Sequence, residues 1–92
     1  MLNLLIHPRA DASLGLIQRQ ARTDNARLNQ VHQAYYKIVA ELRQGDSSIW
    51  DLKSDFIAGA SMLLVPPLKV HFRWIHDDKI AILYFQEVSV LP

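Results

Sequence analysis

The chain reads as an α+β domain, a helical hairpin packed on one face of a small, mainly antiparallel sheet, in the order β-α-α-β-β-β. Three observations predict this. Residues 10–43 lack proline and carry apolar residues at alternating spacings of three and four. Residues 61–88 instead hold short apolar runs separated by turn formers. The two patterns are segregated along the chain, which puts the helices together on one side of one sheet. A length of 92 residues fits a single domain over residues 1–92. A chain of this size buries only ~60–65% of its unfolded surface, so its stability margin is thin.

Residues 2–6 form a short apolar run closed by His7-Pro8, which reads as a buried strand. Pro8 suits the first turn of a helix, where an N–H lacks an intrahelical partner anyway. Asp11 then falls near the positive end of the helix dipole. The helical stripe follows, with Leu14, Ile17, Ala21, Leu28, Val31, Tyr35, Ile38 and Leu42. Arg22-Thr23-Asp24-Asn25 interrupts it with turn and cap formers. Two helices, over residues 10–22 and 25–44, are favoured. The continuous register leaves one long helix as the alternative.

Gly45-Asp46-Ser47-Ser48 stops the second helix. Residues 49–60 have no clear period, and a short helix over residues 54–63 competes with a strand beginning at Ser61. Pro66-Pro67 forces an extended turn. Residues 68–75 form a strand, residues 76–79 a polar turn and residues 80–88 a returning strand. That last strand is apolar on both faces, with Ile80, Ile82 and Tyr84 against Ala81, Leu83 and Phe85, and so belongs in the middle of the sheet.

The stretch with chemical promise is Leu68-Lys69-Val70-His71-Phe72-Arg73-Trp74. Alternate residues of a strand point to opposite faces. Val70, Phe72 and Trp74 therefore face the core beneath the helices, while Lys69, His71 and Arg73 share the open face about 6–7 Å apart. Two cations around a histidine suit phosphate binding and proton transfer.

Other residue classes offer less. The net charge is +1, split as +3 over residues 1–43 and −2 over residues 44–92, too little to identify a nucleic-acid binder. The absence of cysteine excludes disulfides and thiolate metal sites. His7, His32, His71 and His76 lack metal-ligand spacing, so neither a metal nor a cofactor is expected. His7 reads as a junction residue bonded to backbone, His32 as exposed, and Trp50 and Trp74 as core anchors. Of Tyr35 and Tyr36, one ring packs inward and the other faces out. The helix cations Arg19, Arg22, Arg27, Lys37 and Arg43 read as a solvated face. No apolar stretch approaches the ~20 residues of a membrane span, and a cytoplasmic location is expected.

Two segments resemble the RelE/ParE superfamily, toxins of bacterial type II toxin–antitoxin systems. Ile6-His7-Pro8-Arg9-Ala10 looks like the family's first strand entering its first helix. Residues 68–83, from Leu68-Lys69-Val70-His71-Phe72-Arg73-Trp74 through Asp77-Asp78 to Ile80-Ala81-Ile82-Leu83, look like its tyrosine-arginine strand, acidic turn and apolar return strand. By that match Lys69 takes the place of the family's usual arginine.

The resemblance implies a cognate antitoxin as partner and one of two targets, mRNA on the ribosome or DNA gyrase. For an mRNA endonuclease it implies Lys69 and Arg73 as phosphate-binding cations, His71 as base or acid, and Lys53 as a further phosphate contact. The tail departs from the nuclease pattern. Gln86-Glu87-Val88-Ser89-Val90-Leu91-Pro92 holds neither a basic nor a phenolic side chain, and Glu87 would repel phosphate if it shared the open face. The alternative is a non-catalytic protein–protein interaction module on the same scaffold.

Overall fold

A computed structural model describes residues 1–89; the last residues of the tail, 90–92, lie outside the described residues. Strand β1 (Asn3–Ile6) leads into helices α1 (Pro8–Ala21) and α2 (Asn25–Gln44). A 3-10 turn (Ser47–Trp50) and a loop over residues 51–60 precede β2 (Ser61–Val65), β3 (Leu68–His76) and β4 (Lys79–Glu87). The sheet order is β1-β4-β3-β2, with β1 parallel to β4 and the other pairs antiparallel. This is the expected α+β order, with the twice-apolar β4 in the interior of the sheet.

Local chemistry sets the helix limits. The His7 imidazole accepts from Arg9 N–H at 3.0 Å and caps α1, with Pro8 at its first position. Asp24 has extended backbone and accepts from Arg27 N–H at 3.1 Å, so it starts α2 and rules out one continuous helix. Gly45 closes α2 at φ 67. A Cβ there would lie 2.5 Å from Leu2 Cδ1, so glycine serves both the backbone turn and the approach of β1.

The core joins Ala10 and Ile17 of α1 and Val31, Ala34, Ile38 and Leu42 of α2 to Leu68, Val70, Phe72, Ile80, Ile82 and Phe85 of the sheet. Trp50 covers Phe72 with ring centroids 5.4 Å apart. Tyr35 packs against Phe85 while Tyr36 faces out.

Three sequence expectations need correction. Strand β1 is the sheet's edge rather than a buried strand, and Leu5 and Ile6 are 48% and 46% exposed. Trp74 shares the core-side register with Ile80 but lies beyond the helices; it is 52% exposed, its indole N–H bonded to the Asp77 carbonyl at 3.0 Å. The strict alternation expected of β4 fails because His71 faces Tyr84 while the next residue, Phe72, faces Ile82. Leu83 is the extra residue, and this bulge turns Phe85 into the core and Tyr84 to the other face. Since β1 ends opposite Ile82, the Phe85 N–H looks outward; the buried Ser13 hydroxyl accepts it at 3.0 Å.

Candidate functional site

Lys69, His71 and Arg73 do occupy one face of β3, opposite Gln86, Tyr84 and Ala81 of β4. The face is not open over its whole width. Residues 51–60 fold across it, tied down where Met62 N–H donates to the Leu52 carbonyl and Ser54 N–H to the Ala60 carbonyl, both at 3.0 Å. Gly59 takes φ 78 in the returning bend.

The loop seals His71, which is 0% exposed. Its Nδ1 lies 2.7 Å from Ser54 Oγ and its Nε2 lies 2.7 Å from Gln86 Oε1. Ser54 Oγ already accepts the N–H groups of Phe56 at 3.1 Å and Ile57 at 2.8 Å. With both lone pairs engaged, the hydroxyl proton goes to His71, so Nδ1 is an acceptor. The ring proton is then on Nε2 and donates to the Gln86 carbonyl. Above the imidazole lies Phe56, 5.4 Å from His71 and 5.1 Å from Tyr84 between ring centroids.

The neighbouring cations differ. Lys69 Nζ donates to Asp55 Oδ2 at 3.2 Å, which fastens the loop's rim to β3. The hydrogen bond from Lys69 holds the Asp55 carboxyl below its ordinary 3.8; desolvation opposes it, and the Lys69 charge and a backbone hydrogen bond add to the lowering. Arg73 is exposed and makes no ion pair among the described residues. Lys53 is exposed at the loop's base, its backbone bridged to Ser61. Glu87 pairs with Leu68 in the core-side register and bonds Arg27 of α2 at 2.7 Å.

Sequence reasoning missed four members of this arrangement: Ser54, Phe56, Tyr84 and Gln86. Ser54 had one readable signal, a serine able to bond backbone amides two and three residues on. Tyr84 was hidden by the β4 bulge.

Beside the sealed histidine runs a groove of about 500 Å³ between α1 and the loop, lined in part by Leu16, Gln20, Phe56, Tyr84 and Val88. It adjoins a second hollow of about 460 Å³ that shares Leu16, Phe56 and Tyr84 and ends at Arg9. Phe56 is 55% exposed along this groove. Among the described residues, no cluster of three or more His, Asp or Glu side chains is placed to hold a metal ion. No helix of the described chain is long and apolar enough to cross a membrane.

No family model matches the chain, and no curated protein matches it. Its architecture does match solved structures. One is a chain of the structure described as "Chromosomal ParDE TA system from P. aeruginosa", 23% identical, with a TM-score of 0.74 over 97% of this chain and 98% of that one. The protein therefore shares, over nearly its whole length, the fold of a chain from that ParDE system.

Proposed function

We propose that this protein is the toxin of a toxin–antitoxin pair, and that it acts by gripping a protein target of the DNA gyrase kind rather than by cutting mRNA. The match in fold to a chain of a ParDE system supports the first part. The second rests on one observation: His71, the best candidate for proton transfer, is 0% exposed with both ring nitrogens bonded. A general base has to come within hydrogen-bond reach of its substrate's proton, and Phe56 stands in the way.

What remains available suits protein contact. Phe56 and Leu16 are exposed apolar side chains along a groove with Arg9 at one end. Aromatic anchors beside a cation are the residue types that carry most interface energy. The antitoxin is assigned to this groove, where it would cover both apolar side chains and silence the toxin. Lys53 and Arg73 are assigned to the rim of the target contact.

Inducible expression tests this. The chain alone should arrest growth, the product of the adjacent reading frame should restore it, and arrested cells should accumulate gyrase-dependent DNA breaks. New ribosome-dependent mRNA ends would replace this reading with the nuclease one. Unimpeded growth would leave the non-catalytic interaction module.

A further inference from the structure

We infer that β1 is a self-complementary edge through which two copies of the chain join their sheets into one. The inference stands independently of the toxin reading. Asn3 N–H donates to the Asp78 carbonyl at 2.7 Å and His7 N–H to the Ile82 carbonyl at 2.9 Å, both toward β4. Strand alternation turns the N–H and C=O of Leu4 and Ile6 the other way. Strand β1 ends the sheet order, and among the described residues nothing bonds these outward groups.

The opposite edge is guarded. Along β2, Met62 N–H donates to Leu52 and Ser61 is bridged by Lys53. Along β1 no such cover exists among the described residues, the four residues carry no charge, and Leu5 and Ile6 are 48% and 46% exposed. Edges without charge, proline or cover are the ones that pair with another strand.

The limits of the free stretch favour a second copy. Below Leu4, the Leu2 N–H is already given to the Arg43 carbonyl at 2.8 Å. Above Ile6, Pro8 has no N–H to offer. An antiparallel pairing about a two-fold axis at Leu5 matches these features one to one. Leu4 exchanges both bonds with the second copy's Ile6, and Ile6 with the second copy's Leu4. The occupied Leu2 then faces the second copy's Pro8, so no N–H is stranded at either end. The Leu5 side chains meet at the axis, where opposed Cβ atoms lie ~4.5–5.5 Å apart. An uncharged strand meets no like-charge repulsion on pairing with itself, and such a contact closes as a dimer without extending further.

Sedimentation of the full chain across a concentration series tests this. The mass should double from the 10.6 kDa monomer as concentration rises. Leu5→Lys, which sets two ammonium groups face to face at the axis, should weaken the dimer at least tenfold while keeping its circular dichroism. Leu64→Lys, on the opposite edge strand, should leave it intact. Hydrogen exchange on the unaltered chain gives a reading free of folding effects: the Leu4 and Ile6 amides should be protected when concentrated and lose that protection on dilution. A monomer at millimolar concentration with both amides exchanging freely would overturn the inference. So would a dimer that Leu64→Lys disrupts and Leu5→Lys does not.

Discussion

The Ser54 hydroxyl sits 2.7 Å from Nδ1 of His71, and that bond turns the residue with the most chemical promise into the anchor of a loop. Ser54 gathers the Phe56 and Ile57 amides on its other side. One polar contact thus fixes the backbone that carries Phe56 over the sheet, and the shape of the α1 groove follows from it.

Replacing Ser54 with alanine strands the buried Nδ1 acceptor and releases two amides. The loss should be ~1–3 kcal/mol, the usual consequence of leaving a buried polar group unpaired. Denaturant unfolding measures it, and limited proteolysis should show new cleavage within residues 51–60. A change below ~0.5 kcal/mol with an uncut loop would mean the bond does not hold the loop.

The two faces of β3 should respond oppositely to truncation. Phe72→Ala removes a ring with no exposed surface and should destabilise by ~3–5 kcal/mol. Arg73→Ala, one residue on, should stay within ~0.5 kcal/mol because the side chain is exposed and makes no ion pair among the described residues. Thermal or urea unfolding of the two variants side by side gives the comparison.

Gly45→Ala meets two obstacles at once, a φ of 67 and a Cβ position 2.5 Å from Leu2 Cδ1. It should lower stability by more than ~1 kcal/mol. Adding Leu2→Ala should relieve the clash but not the backbone strain, so the double mutant should be less destabilised than the sum of the two single changes. Strict additivity would show that Leu2 and residue 45 do not touch.

The loop clasp should weaken in acid. The Asp55 carboxyl is lowered from 3.8 by its hydrogen bond to Lys69. A carboxyl lowered in the folded state adds stability that is complete above its unfolded value and disappears as pH falls through the lower folded value. Because Asp55 is exposed, salt screens the contribution and keeps it small. Phe56 ring resonances should be unchanged from pH 7 to about 5 and should drift only below about pH 4. Asp55→Asn should abolish that drift; its persistence would assign the acid step to another group.

The helices and the hairpin were legible because their signals are local. A break at Asp24, a glycine at position 45 and the Asp77-Asp78 turn each act through nearest neighbours. The β4 bulge was not legible. Leu83 is one apolar residue among many, and nothing in Ile80-Ala81-Ile82-Leu83-Tyr84-Phe85 marks where the alternation slips. Lys69, His71 and Arg73 were placed on the right face, but the fate of His71 depended on residues 51–60, which have no period to read. Edge placement of β1 was equally hidden, since a short, largely apolar run such as residues 2–6 looks the same buried or half-exposed.

The most direct test of a sealed, structural His71 is the ¹⁵N spectrum of its imidazole in the folded protein. Nδ1 should appear as an unprotonated acceptor. Nε2 should carry a proton that exchanges slowly with water and shows a coupling across its hydrogen bond to Gln86. Rapid exchange, or a mixture of both ring tautomers, would contradict the account and return His71 to the solvent as a free proton carrier.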